Sequence, residues 1–226
     1  MRLLTLNDFK ATGWNTNNPN VLAQVNGILA TQDNAFTRYG ISKDVHVAHL
    51  MAQLSHESGE GTELVESLNY APAALLRQWS THFSPGQAQM YGRTADHPAN
   101  QRMIGELAYG GRMGNAPAPS EDGYTFRGRG FIQTTGRNGY KELATKTGLP
   151  LLEHPDMLID PHHAFECAVA EFVSYPHMLM YCESGDMLAI GSLINLGHVS
   201  HNPAEIIGNS DRQAQSALWK HQYGIA

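Results

Sequence analysis

SKDVHVAHLMAQLSHESG, running from Ser42 to Gly59, reads as one helix. Val47, Leu50, Met51 and Leu54 fall at i, i+3, i+4 and i+7, the spacing that lines a single apolar face. Ser42 offers a capping hydroxyl at the start and Gly59 a stop at the end. A second stripe, His46, His49, Gln53 and His56, recurs at i, i+3, i+7 and i+10, so a polar face runs down to Glu57. On a helical wheel Glu57 lies at the boundary, with Leu50 and Leu54 on one side and Gln53 on the other. A carboxyl half-embedded in apolar surface resists ionising. Its pKa is therefore expected to rise, which suits a general acid working near neutral pH.

A second carboxylate, Glu66, follows nine residues on. In a continuous helix the two would stand about 13.5 Å apart along the axis, on opposite faces. Gly59 and Gly61 permit another arrangement, because they can end the helix and reverse the chain so that Glu66 faces Glu57 across a cleft. Inverting glycosidases need two carboxyl groups roughly 6.5 to 9.5 Å apart, one protonating the leaving oxygen and one activating water. Glu60 and Glu63 lie between the pair and compete for either role. Spacing does not choose among the four.

Outward from this segment, helix signals dominate. Asp160-Pro161 and Asn202-Pro203 place a capping side chain before a proline at the first helical position, predicting two further helices. Helices also fit Pro98 to Tyr109, Asn138 to Thr147 before Gly148, and Asp211 to His221. One β signal stands out, Tyr124 to Thr135, where YTFRGRGFIQTT mixes aromatic and β-branched residues with Gly128 and Gly130. NAPAPSED, Asn115 to Asp122, reads as a loop. The expected class is mainly α, an α+β arrangement with one small hairpin or sheet.

The 226 residues carry a net charge of −6, which disfavours a nucleic-acid partner, and 42% hydrophobic residues, enough for a buried core. No apolar run approaches the ~20 residues of a membrane span, so stable membrane insertion is not expected. The first residues, MRLLTLNDFK, lack the long apolar stretch and cleavage site of a secretory signal, so a cytosolic product is expected. Two cysteines, Cys167 and Cys182, then read as free thiols. Repeats and low-complexity tracts are absent from the sequence, so one domain over 1–226 is expected. His46 with His49 on one helix face, and His162 with His163 as a second cluster, make a metal site conceivable. The zincin pattern fails, however, because Ser58, Gly59 and Glu60 follow His56-Glu57 with no second histidine. No metal and no cofactor are expected. Gly110-Gly111, Gly128, Gly130 and Gly136 lack the phosphate-loop lysine and the dinucleotide fingerprint. They suit either turns or close backbone approach to a flat ligand such as a sugar ring, with Gln133, Thr134 and Thr135 offering amide and hydroxyl groups.

Three segments, MAQLSHESGEGTELVESLNY (Met51 to Tyr70), ELAYGGRMGN (Glu106 to Asn115) and GYTFRGRGFIQTTGRNGY (Gly123 to Tyr140), in this order and spacing, resemble glycoside hydrolase family 19, most closely its bacteriophage endolysin branch. The resemblance covers roughly residues 40 to 215. It implies a lysozyme-like fold, two helical lobes flanking a substrate cleft, and inverting cleavage of β-1,4 bonds between N-acetylated sugars. It further implies that Glu57 is the general acid, Glu66 the general base, and that Glu60 and Glu63 have no family role. Gln133 and Thr135 match a segment whose hydroxyl helps to hold the attacking water. Asn195 resembles a substrate-binding asparagine and Arg212 the arginine that organises the acid. Tyr70 and Tyr140 match cleft tyrosines. Gly139 and Leu196 depart from the plant-type pattern, and the glutamate that partners the arginine there has only Glu205 as a weak counterpart.

The function expected from the resemblance is a muramidase-type endolysin that acts on peptidoglycan glycan strands as a monomer, with no wall-binding module. It would wait in the host cytoplasm and reach the wall through holin-type lesions. A chitinase or a lytic transglycosylase are the alternatives, with a non-catalytic glycan-binding module and a metal-dependent amidase behind them.

Overall fold

The computed structural model describes residues 1–225; position 226, the last of the expected domain, lies outside them. Its helices are, in order, α1 (Leu6–Ala11), α2 (Pro19–Tyr39), α3 (Asp44–Ser58), α4 (Pro72–Gln78), α5 (Pro85–Tyr91) and α6 (Gln101–Tyr109). There follow α7 (Asp122–Thr125), α8 (Gly136–Thr147), α9 (Ala164–Ser174), α10 (Met178–Ser184), α11 (Met187–Leu196) and α12 (Asn209–Gln222). The mainly helical expectation holds. No helix among the described residues is long and apolar enough to cross a membrane.

The chain forms two compact units. The first comprises Met1–Leu64, Gly130–Gln133 and the chain from Asp156 on; the second comprises Val65–Arg129 and Thr134–Pro155. At the centre of the first is α3. Its predicted apolar face is fully buried, Val47, Leu50, Met51 and Leu54 all being inaccessible. The histidine stripe is buried as well, His46, His49 and Gln53 lying under α10 and α12. A helix so enclosed must find partners for its polar residues on its neighbours, and α10 and α12 supply them for part of the stripe, leaving His49 Nε2 and Gln53 Nε2 buried without one. His46 Nε2 lies 3.1 Å from Glu183 Oε1, and His49 Nδ1 lies 3.4 Å from Ser216 Oγ. Burial pushes the His49 imidazole down to about 4, with Lys220 adding to the effect, so it is held neutral. Ser55 Oγ accepts both indole N–H groups, from Trp14 and Trp219, each at 2.9 Å. Phe9 packs edge-on against both rings.

Ser42 does not cap α3. Lys43 occupies that position in extended conformation, without a side-chain cap, and Asp44 supplies negative charge to the first turn. Gly59 ends the helix as predicted, and Gly59, Glu60 and Gly61 follow one another in left-handed conformation, at φ of 53°, 51° and 81°. Helix α2, the longest, begins at Asn18-Pro19, where Asn18 Oδ1 accepts from the Asn20 amide, and stops at Gly40. Gly27 on α2 admits the Pro161 carbonyl where a Cβ would stand 1.9 Å from its oxygen, so α2 and the turn that precedes α9 meet closely.

Three expectations need correction. The helix predicted at Asp160-Pro161 begins later, at Ala164, because the Asp160 side chain accepts from the His162 amide and closes a turn first. Asn202-Pro203 opens no helix. Asn202 Oδ1 accepts from the Ala204 amide and Nδ2 donates to Glu205, giving one turn that the left-handed Gly208 separates from α12. The hairpin over 124–135 is also not formed. Its first residues complete α7, and Gly130 and Gln133 take positive φ, where an extended strand cannot continue. Only two isolated bridges occur among the described residues, Val65 with Arg129 and Arg129 with Thr134.

The second unit has its own core, in which Leu68, Leu75, Phe83, Ala88, Ile104 and Ala108 are buried against Tyr70, Trp79 and Tyr109. Asn100 caps α6 through the Met103 amide. The irregular stretch after Asn115 is tied at both ends. Asn115 donates to the Tyr109 carbonyl and accepts from the Arg137 amide, and Arg137 grips Asp122 through two hydrogen bonds. Cys167 and Cys182 are separate buried thiols in the first unit, pushed up to about 12 by burial.

Asp8, 1% exposed, collects donors from both sequence ends of the first unit: Arg2 at 2.7 Å, the Thr5 amide at 2.7 Å and Gln222 Nε2 at 2.6 Å. Burial raises its carboxyl, but these bonds outweigh it and hold the pKa at about 2, against 3.8 for the free side chain. A carboxyl depressed on folding stabilises fully above its unfolded pKa and loses that contribution as the pH falls through the folded one. Asp8→Asn is therefore expected to cost roughly 1 to 2 kcal/mol at pH 7, the exposure of Arg2 reducing the full linkage value. In urea titrations the gap from wild type should narrow between pH 4 and pH 2. A gap independent of pH would refute this account.

Candidate active site

Glu57 lies in the last turn of α3 in the first unit with its side chain 18% exposed. The half-apolar setting expected for it is replaced by a polar one supplied by α12. Arg212, 2% exposed, donates from Nη2 to Glu57 Oε1 at 2.5 Å, from Nη1 to Gln53 Oε1 at 2.6 Å, and from Nε to the Ile207 carbonyl at 3.2 Å. A planar guanidinium with donors at fixed angles can hold three acceptors in one plane, which a tetrahedral ammonium cannot. Ile207 is anchored in turn, its amide donating to Asn195 Oδ1 at 3.0 Å. Asn195, Ile207, Arg212 and Glu57 thus form one connected series within the unit.

Neighbouring α12 residues engage the same end of α3. His56 Nδ1 lies 2.6 Å from Asp211 Oδ2, and Gln215 Nε2 donates to Glu60 Oε1 at 2.6 Å. Burial pushes the Glu60 carboxyl up, opposed by the Gln215 bond. Glu63 is exposed, and its backbone carbonyl accepts from Gln133 Nε2 at 3.1 Å. Gln133 also donates to the Gly130 carbonyl, so its amide is engaged with backbone in the first unit.

Glu66 belongs to the second unit and is half-buried. Its two oxygens have separate donors: Tyr109 Oη at 2.6 Å on Oε1 and the Gly128 amide at 3.0 Å on Oε2. The Glu66 amide donates back to the Gly128 carbonyl at 2.9 Å. Two donors on different oxygens fix the plane of a carboxylate, the requirement for a group that must accept a proton from one direction. Tyr109 was missed in the sequence because its partner is 43 residues away; its only signal was its place in the ELAYGG segment. Burial first, then the charge of Glu66, raise the Tyr109 hydroxyl, so it stays a donor. Tyr70 is raised by the same two causes and packs on Trp79, which also packs on Tyr109.

The remaining sequence candidates divide. Thr135, half-buried, is the N-cap residue of α8 in the second unit. Tyr140 is fully buried, donating to the Arg127 carbonyl at 2.8 Å and accepting from Arg129 Nη1 at 3.1 Å. A cleft tyrosine must be accessible, so Tyr140 is instead a support for the 127–129 turn that delivers the Gly128 amide. Glu205 bonds Ser200 and Asn202, not Arg212. Among the described residues no group of three or more His, Cys, Asp or Glu side chains is placed to hold a metal ion.

No family model matches the chain. It is similar to a glycosyl hydrolase family 19 domain-containing protein of Haemophilus influenzae, with 32% identity over 117 residues, 51% of this chain and 56% of that protein. The chain thus spans about half the length of the curated relative it matches.

Proposed function

We propose that the chain is a glycoside hydrolase of the family 19 type that cleaves β-1,4 bonds between N-acetylated amino sugars in peptidoglycan, as an endolysin does. Glu57 gives its proton to the glycosidic oxygen as the bond to the anomeric carbon breaks. Water adds to that carbon from the opposite face and yields its proton to Glu66, so configuration inverts. Thr135, with Gln133 nearby in sequence, is assigned to holding that water, and Tyr70 to the sugar. The partner is the glycan strand and not nucleic acid; one monomeric catalytic domain acts on it, released from the host cytoplasm to the wall through a membrane lesion.

One observation carries the reading. Both glutamates of the family-like segments have carboxylates oriented by specific donors, Glu57 by a buried guanidinium and Glu66 by a half-buried phenol and a backbone amide. On Glu57 the bond falls on Oε1 and leaves Oε2 for the leaving oxygen. The name of the Haemophilus influenzae relative supports the reaction class, and the endolysin-like segments support peptidoglycan over chitin.

Glu66→Gln is the discriminating variant. A hydrolase is expected to lose about 10²- to 10⁴-fold in kcat on this change, the usual contribution of a general base. Mass spectrometry of muropeptides released by the wild type should show reducing ends that carry the added water. Retained activity in Glu66→Gln together with products lighter by one water would replace the proposal with a lytic transglycosylase. Digestion of chitin but not of sacculi would redirect the substrate.

A further inference from the structure

The resemblance assigns Asn195 to the sugar, yet its carbonyl oxygen is already committed. Asn195 Oδ1 accepts from the Ile207 amide at 3.0 Å, the Ile207 carbonyl accepts from Arg212 Nε at 3.2 Å, and Arg212 Nη2 holds Glu57 Oε1. All four residues lie in the first unit. Ile207 has no hydrophobic reason to be where it is, since its side chain is 75% exposed. It lies in the segment between α11 and α12, immediately before Gly208, the N-cap residue of α12. Its neighbours are held by α12, the Ile206 carbonyl accepting from the Asn209 amide at 3.2 Å and the Gly208 carbonyl from the Arg212 amide at 2.9 Å; the Asn195 bond, from the C-terminal end of α11, is the one side-chain anchor on the Ile207 amide.

We infer that Asn195 is a positioning residue for the acid: it anchors the Ile207 backbone from its amide side so that the Ile207 carbonyl, in the next peptide group, meets Arg212 Nε, and through the rigid guanidinium it places Glu57. Two of the three Arg212 bonds, to Gln53 and to Ile207, define the plane of the guanidinium, and the third places Glu57 Oε1 within it. Loss of the Ile207 bond leaves Arg212 free to pivot about Gln53. A displacement of the acid by a fraction of an ångström to about 1 Å costs rate without weakening ground-state binding. The inference rests on the assignment of Glu57 as the acid.

The two roles of Asn195 use different atoms, and substitution separates them. Positioning requires only an acceptor at Oδ1; a sugar contact through the side-chain amide requires the Nδ2 donor. Asn195→Ala is expected to lower kcat about 10- to 100-fold with KM within about twofold of wild type. Asn195→Asp, which keeps the acceptor and lacks the donor, is expected to restore most of that loss. A raised KM in both variants, with kcat little changed, would overturn the inference in favour of sugar binding. Equal kcat losses in Ala and Asp would overturn it too, provided both melt near the wild type. If Asn195→Asp melts far lower, Asn195→Ser, a shorter acceptor, takes its place and must recover part of the kcat. Glu57→Gln, assayed alongside, separates the two levels: activity retained there defeats the acid assignment itself, whereas its loss with a KM effect at Asn195 defeats only the positioning role.

Discussion

Glu57→Gln is expected to lower kcat on sacculi by about three orders of magnitude while the protein still folds. The amide is isosteric with the carboxyl and its oxygen still accepts from Arg212 Nη2, so the three-acceptor arrangement around the guanidinium is kept. What is lost is the proton. General acid catalysis contributes typically 10²- to 10⁴-fold, and no neighbouring group takes over the role from the same position. His56 is occupied with Asp211 and Glu60 with Gln215. The structural cost should be about 1 kcal/mol, because the guanidinium keeps its hydrogen bond but to a weaker, neutral acceptor. Circular dichroism and thermal melts verify the fold, and release of reducing sugar measures the rate. Full activity in this variant would remove Glu57 from the reaction.

Arg212→Met should produce the largest loss of stability, about 3 to 5 kcal/mol in urea unfolding, along with loss of activity. Arg212 is almost wholly buried, and its removal leaves Gln53 Oε1 and the Ile207 carbonyl without their donor and Glu57 without its counter-charge. Breaking a buried pair from one side strands the other partner, which is why such deletions cost more than the pair itself contributes. Methionine keeps much of the volume, so the measured loss reports polar satisfaction, not a cavity. Arg212→Lys should recover only part of it, since one ammonium cannot serve three acceptors in a plane. A loss below about 1 kcal/mol in Arg212→Met would mean that the three bonds do not organise this end of α3.

How much of this was legible in the sequence follows from the range of the interactions. The apolar face of α3 and its stop at Gly59 are local, and periodicity reveals them. The same local rule gave an uneven result with proline. Asn18-Pro19 opens α2 and was not singled out, although Asn18 and Gly40 bracket it with a cap and a stop. Asn202-Pro203 carries the same dipeptide sign, but its side chain is spent on a single turn. The β reading over 124–135 weighed side-chain preference, whereas the backbone there is governed by Gly130 and Gln133 at positive φ. The histidine stripe looked like a surface because polar residues usually are; α12, more than 150 residues away, covers it. The Arg212 to Glu57 pair was reachable only through the family pattern, and Tyr109 on Glu66 was missed because nothing in the spacing of either residue connects them.

Helix α12 supplies Trp219 to Phe9 and Ser55 at the centre of the core, and Arg212 to Glu57 at its edge. During synthesis α3 emerges from the ribosome long before α12, and a nascent chain holds its glutamate without the cation that orients it. The same late segment closes the core and pairs with Glu57, so on the proposed mechanism competence arrives together with stability. Half-made polypeptides are accordingly expected to be inert on that mechanism, whatever sugar they encounter.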